Sequence, residues 1–377
     1  MGLKLYPETA VINLANAIRS AYGGISTSYR VSDMASAILN IPAGEDNFSV
    51  LASVVDGTIT EFSYSNQAIS VITSWTFYDC RLLERVDCPS ITEIQDQAFQ
   101  SCYSLSSISF PLCSYIGSYA FAFCSNLTAA CFPSCVSIST AAFTNCNKIS
   151  SLSFPLCTII GSNAFYAIGS GVKSITSEVF PICTTIGSAA FYLCHGLSYV
   201  YFPEVTQMLG NTFGGCSSLS TAVFPLCTKI DDSFRGCSHL TSVSLPLCEI
   251  VGYQAFYYCS YRLSSISLPA CYSIGSNAFA EAYRLSIIDL GSNNLSVNSG
   301  VIGASAFRSC RSLLSLYLRY SFTISLSNIN AFTSTPISNY TASTSGVYGS
   351  IYVPSSLYDT YITATNWATY SSRFVSI

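Results

Sequence analysis

The sequence predicts an α/β solenoid, with a parallel sheet on one face and short helical turns on the other. Three observations point there. Phenylalanine returns at Phe77, Phe99, Phe121, Phe143, Phe165, Phe191, Phe213, Phe234, Phe256, Phe279 and Phe307, more loosely at Phe332, most often 22 residues apart. Nine cysteines, from Cys80 to Cys310, follow one of these rings by three positions. Proline keeps step at Pro89, Pro111, Pro133, Pro155, Pro181, Pro203, Pro225, Pro246 and Pro269. Self-similarity at a fixed period of about 20–50 residues marks a stacked array, in which each unit touches only its neighbours. Such an array has a long regular surface and seldom a deep central pocket.

Each element of one repeat can be justified in order. In Leu105-Ser-Ser-Ile108-Ser-Phe110 the last residues alternate apolar and polar, as a short strand with one buried face requires. Pro111 ends it, since proline cannot donate into a continuing ladder. The pair Ile116-Gly117 is expected to turn the chain. Ser118 to Cys124 then places Ala120, Phe121 and Cys124 at helical spacing, enough for about one turn of α- or 3₁₀-helix capped by Ser118. One strand and one turn cannot bury their own apolar side, so stacking must supply the core.

Of 377 residues, half are hydrophobic and only 9% are charged, against about a quarter in ordinary domains. No charged side chain lies between Asp96 and Lys148. A membrane-spanning helix needs roughly 20 mostly apolar residues in a row, and Ser, Thr, Asn and Pro interrupt every few positions, so no membrane insertion is expected. The net charge is −4 with 15 scattered basic residues, and no basic stripe is visible to neutralise phosphates. Nucleic acid is therefore not an expected partner.

The 18 cysteines fall mostly into two columns. One holds the nine that follow phenylalanine; the other holds Cys113, Cys135, Cys157, Cys183, Cys227, Cys248 and Cys271, two after proline. Missing members are replaced by Ile168, Ala282 and Val205. A slot that accepts Cys, Ile, Ala or Val is small, buried and apolar. Reduced, stacked thiols are expected rather than a disulfide ladder, and without a CxxC pair the common zinc and redox spacings are missing. No metal and no cofactor are expected.

The combined pattern L-x-x-I-x-F-P-x-C-x-x-I-G-x-x-A-F-x-x-C-x-x-L resembles the BspA-like, or Treponema-type, leucine-rich repeat. It covers roughly residues 50–318, about eleven repeats of roughly 22 residues. The resemblance implies a leucine-rich-repeat horseshoe and the company of bacterial surface adhesins or parts of mobile elements, generally not enzymes. Insertions lengthen the array at Ile168–Lys173 and Gly291–Val301 and are expected as loops.

Three segments follow: a helical N-terminal attachment module at 1–43, the solenoid at 44–318 and a C-terminal cap at 319–377. Residues 14–19 and 29–38 are similar to a small helical hairpin of tailed-phage and prophage tail proteins. Two roles fit it: a cover for the first repeat, or a docking module. The amino terminus shows no clear secretory signal, which fits assembly into a virion or a start after a removed signal. Trp75 and Trp367, near the array ends, are expected in the core.

His195 and His239 lie two repeats apart in return loops, without a recurring carboxylate beside them. Asp231-Asp232 reads as a solvated turn, and no phosphate loop or HExxH motif occurs. An enzyme is not expected. The outward strand positions are mostly Ser and Thr, whereas binding hot spots favour Tyr, Trp and Arg. Candidate binding residues are therefore Tyr199, Tyr201, Tyr257, Tyr258, Tyr261, Asp289, Tyr317 and Arg319, with Tyr320 beside them. The same tyrosines also fit a purely solubilising role. The function expected is recognition or adhesion, on a phage or prophage tail that binds a bacterial surface. The alternatives are a secreted or surface-anchored bacterial adhesin and a purely structural virion protein. The partners this implies are a bacterial surface glycan or protein, other tail proteins through residues 1–43, and further copies of the chain.

Overall fold

The computed structural model describes residues 58–63, 70–292, 297–338 and 347–377. The expected module at 1–43 lies outside them. Two compact units divide the chain, the first reaching Val172 and adding Glu178–Phe180, the second made of Lys173–Ser177 and Pro181–Ile377. The boundary coincides with the first insertion, which is a loop whose Ile168 and Val172 are buried.

In the first unit each rung carries two very short parallel strands. Ser107–Ser109 pairs with Arg85–Asp87, and Ala129–Cys131 with Ser151–Ser153. Beyond the proline corner, Glu93–Ile94, Tyr115–Ile116, Ser137–Ile138 and Ile159–Ile160 form a second ladder in strict register. Among the described residues the first unit has five such strands and the second unit has seven of the same kind. Alternate strand residues point inward, so Val86, Ala130 and Leu152 join the core. Phe77, Phe99, Phe121, Phe143 and Phe165 stack with centroids 5.0, 5.1, 5.2 and 5.4 Å apart. Phe110, Phe132 and Phe154 form a second stack at 6.1 and 5.7 Å.

The expected helical turns are not helices. Around Phe121, Tyr119 and Phe123 sit in the left-handed region at φ 57° and 63°. Their N–H groups and that of Phe121 donate to Thr140, Thr144 and Ala142 of the next rung at 2.8–2.9 Å. The alternate N–H groups, of Ala120, Ala122 and Cys124, close i→i−3 turns at 3.1–3.3 Å. A helix keeps its N–H groups within one rung. Alternating handedness instead aims every second N–H at the neighbour, a third ladder that compensates the roughly 1–2 kcal/mol of each left-handed residue. A horseshoe needs helices, broader than strands, on one face. Here the turns bond rung to rung as strands do, so in the first unit that wedge is missing. The only α-helix among the described residues is Tyr358–Thr363.

Gly117 does not serve a turn. A Cβ there would stand 2.6 Å from the backbone of Gln95 and Asp96. The recurring Ile-Gly pair thus marks close approach of rungs, and Ile116 itself lies in a strand. Ser118 caps nothing; its N–H donates to Asp96 Oδ1 at 2.7 Å.

The thiols are ladders too. Cys102, Cys124 and Cys146 donate to the carbonyls of Phe77, Phe99 and Phe121 of the preceding rung at 2.9, 3.1 and 3.1 Å. The second column bonds within its own rung, Cys113 to Tyr115 and Cys157 to Ile159, at 3.2 and 3.3 Å. These sulfurs are therefore buried free thiols with hydrogen-bond duties, more than compact hydrophobes. Serine and threonine do similar work. Ser106, Thr128 and Ser150 each donate their hydroxyl to a carbonyl one rung back, at 3.2–3.3 Å.

In the second unit the phenylalanine stack runs from Phe191 to Phe332, and Trp367 packs against Phe332 with ring centroids 6.0 Å apart. Trp367 is fully buried and donates from Nε1 to the Ile324 carbonyl at 2.8 Å. Trp75 departs from expectation. It is half-buried, at φ 67°, with its ring 4.9 Å from Tyr78.

Candidate recognition surfaces

Two outward surfaces of the second unit gather the aromatic and charged residues. The first lies on a five-stranded sheet ordered Ser265–Leu268, Ile287–Leu290, Ser315–Leu318, Ser350–Val353, Phe374–Ser376. Its register aligns Ser267, Asp289, Tyr317, Tyr352 and Val375 in one row. The alternate residues Ile288, Leu316 and Ile351 are buried, so this row faces outward. Arg319 Nε meets Asp289 Oδ1 at 2.6 Å, and its guanidinium lies 4.8 Å from the Tyr317 ring centroid. Tyr317 stacks on Tyr352 at 4.5 Å. The arginine is thus held by an ion pair and a ring while its side chain stays 45% exposed.

Tyr320 does not belong to this surface. It is fully buried, and its hydroxyl donates to the Cys271 carbonyl at 2.7 Å. Burial holds its phenol well above the ordinary value. Tyr199 and Tyr201 do face outward, flanking the buried Val200, but they pair with Thr221 and Val223 on a different sheet. They are not brought to Asp289.

The second surface lies on the turns. The Arg235 guanidinium lies 5.7 Å from the Tyr257 ring, Tyr257 is 6.3 Å from Tyr258, and Tyr258 meets Tyr283 edge-on at 6.3 Å. Arg311 covers the Tyr283 ring at 5.0 Å. The Tyr283 hydroxyl donates to Glu281, whose other oxygen receives Arg308 at 3.2 Å. That bond to the carboxylate, with some burial, pushes the Tyr283 phenol up to about 12. Tyr261 is 56% exposed and meets His239 edge-on at 6.3 Å. Composition pointed to the tyrosines; Glu281, Arg308, Arg311 and Tyr352 were missed. The available signal was one of repeat position, since Arg235, Tyr257 and Arg308 each follow a stacked phenylalanine directly.

Chemistry elsewhere is sparse. His195 Nδ1 shares a hydrogen bond with Ser217 at 3.2 Å and His239 Nδ1 with Ser238 at 3.3 Å. Asp232 accepts from the Asn211 backbone and amide at 3.0 and 2.7 Å, so it joins two rungs and is more than a solvated turn. A cleft of about 350 Å³ between the 329–338 and 369–373 segments is lined by hydroxyls, Asn330 and Arg373, without a carboxylate or imidazole. Among the described residues no helix is long and apolar enough to cross a membrane.

The model of the BspA type leucine rich repeat region matches residues 56–170, 115–232, 158–286 and 230–352. No curated protein sequence matches the chain. Among solved structures it is similar to a leucine-rich repeat protein from Bacteroides ovatus, at 23% identity over 72% of this chain and 85% of that one, with a TM-score of 0.45. It is also similar to a leucine rich cell surface protein from Faecalibacterium prausnitzii, at 19% over 73% and 82% with a TM-score of 0.40. For the pneumococcal vaccine antigen PcpA the figures are 17%, 84% and 87%, and 0.43. The matched repeats run from residue 56 to 352, and the chain belongs to the BspA-type leucine-rich repeat family.

Proposed function

We propose that this protein is a non-enzymatic recognition and adhesion component of a bacterial cell surface, secreted or anchored there. One observation carries the reading: Asp289, Arg319, Tyr317 and Tyr352 form an outward, pre-ordered ring-and-ion-pair cluster. Tyrosine and arginine, three of its four members, are types that dominate binding energy, and none of the four is part of the buried interior. A ligand meeting it loses little to side-chain ordering, because the contacts already exist. The family adds support, since BspA-like repeats resemble one another in serving bacterial surface adhesion. The phage-tail role, the first expectation from the sequence, drew on residues 1–43, outside the described residues, and no observation favours it over the surface adhesin that stood as its alternative.

The test uses the full chain, fluorescently labelled, on fixed epithelial cells and on intact bacteria. Saturable binding that falls in the Tyr317→Ala/Arg319→Ala variant is the expected result; no saturable binding to either would refute the proposal. Surface proteolysis of intact source cells should remove the protein. Protection there, with recovery in phage particles, would restore the tail reading.

A further inference from the structure

Arginines scattered in sequence converge on the turns of the second unit. Arg235, Arg308 and Arg311 belong to the ring network, and Arg262 and Arg284 are exposed in the return loops of the rungs between. Glu281 is the carboxylate within that network, and Asp231 and Asp232 open the turn of the first of these rungs, so five arginines stand against three carboxylates. A chain of net charge −4 therefore carries a locally cationic ridge. Three tyrosine rings lie between the Arg235 and Arg311 guanidinium groups, and Tyr258 remains 41% exposed.

We infer that this ridge binds an acidic polysaccharide, one whose sugars bear carboxylate or sulfate groups. The inference rests on the recognition reading above and names its ligand class. Arginine's planar fork matches carboxylate and sulfate oxygens with two parallel bonds. A pyranose ring offers an apolar C–H face for tyrosine and hydroxyls for the phenol groups, whose rings are apolar on the face and polar at the tip. Tyr283 keeps its proton at neutral pH, held by Glu281, so it adds no negative charge to the ridge. Rungs repeat every ~4.8 Å, so the four rungs from Phe234 to Phe307 set arginines and tyrosines in succession along the path of a linear polymer. A nucleic acid fits less well. Five arginines, one of them engaged by Glu281, neutralise few phosphates, and the Tyr257, Tyr258 and Tyr283 rings are tilted or edge-on to one another, not spaced as platforms for successive bases. An acidic peptide lacks sugar faces, and the ridge offers it no strand edge.

The experiment immobilises polygalacturonate and chondroitin sulfate, with dextran as the neutral polymer, oligo(dT) as the nucleic acid and polyglutamate as the acidic peptide, and measures binding of the full chain at low and high salt. Binding to both acidic polysaccharides, weakened by salt and absent on dextran, is expected. Arg308→Ala/Arg311→Ala should weaken it about tenfold, or ~1.4 kcal/mol, with an unchanged circular dichroism spectrum. Arg81→Ala, on a turn of the first unit, should leave it unchanged. Arg311→Lys keeps the charge but not the planar stack, and should fall between. Equal binding to oligo(dT), equal binding by the double variant, or a preference for polyglutamate each overturns the inference. Adhesion to cells without any polysaccharide binding overturns it and leaves the recognition proposal standing; loss of both removes the two together.

Discussion

The two units are each built around the same kind of interior and differ in what they show to the outside. In the first, the residue after each stacked phenylalanine is Tyr78, Gln100, Ala122, Thr144 or Tyr166 and never arginine; in the second, Arg235 and Arg308 take that place beside Tyr192, Gly214, Tyr257 and Ala280. Beneath them the rings stack at 5.1–5.4 Å between Phe99 and Phe165 and at 5.1–5.6 Å between Phe234 and Phe307. The same thiol-to-carbonyl bond appears in both, 3.1 Å for Cys124 and 3.2 Å for Cys259. Backbone and buried thiols hold the ladder together, so the outward side chains are free to vary.

The largest effect expected is shared by both units and would break the comparison if it were not. Burial pushes Cys227 up to about 11 and Cys113, Cys157 and Cys271 up to about 12, from an ordinary thiol value of 9.0. Above 9.0 the unfolded chain releases protons that the folded chain retains. Stability is thus fully present below pH 9.0 and falls as pH rises toward those values. Each thiol contributes ~1.4 kcal/mol per pH unit, so the four remove up to roughly 5 kcal/mol per unit. Urea unfolding at pH 8, 9.5 and 10.5 reads this directly; a flat midpoint would mean the thiols are not buried as described.

Next in size, Phe143→Ala in the first unit and Phe256→Ala in the second should each cost about 3–5 kcal/mol, since both rings are fully buried and stacked on either side. Similar shifts of the urea midpoint would confirm that the interior is common; a twofold difference would show that the units are built differently. Tyr320→Phe removes a buried hydroxyl and leaves the Cys271 carbonyl unpaired, a loss of about 1–3 kcal/mol. The same denaturation series, with Tyr317→Phe as the outward counterpart near zero, separates a structural tyrosine from a surface one. Smallest of all, Arg319→Ala should change stability by ~0.2–1 kcal/mol while lowering cell adhesion. A midpoint shift as large as that of Tyr320→Phe would assign the arginine to the fold.

Much of this was legible from residue order, and the misses have physical causes. The columns of Phe, Cys, Leu and Ile mark the interior because one rung's burial pattern is copied into the next. The turns were misread as helical because Ala120, Phe121 and Cys124 sit at helical spacing. A hint of left-handed backbone was present in Asn163, Asn211 and Asn277, two before a phenylalanine, and in Gly215 and Gly236, two after one. Tyr119, Phe123 and Leu193 occupy the same conformation and hide the hint, since such residues ordinarily avoid it. Tyr320 was misplaced for a related reason: it lies two residues after the buried Leu318 of the third strand of the five-stranded sheet, and composition cannot tell an inward tyrosine from an outward one.

The residue order by itself determined the repeat, its period and the membership of the core, because apolar burial recurs with each copy whatever the backbone does between. Only the tertiary structure decided that the turns bond rung to rung and that the cysteines donate to carbonyls, because both depend on where the neighbouring rung's oxygens stand. It alone brought Glu281 to Arg308 and Tyr283 to Arg311, 27 and 28 positions apart in the chain. Stacking makes such residues neighbours, and linear spacing conceals it.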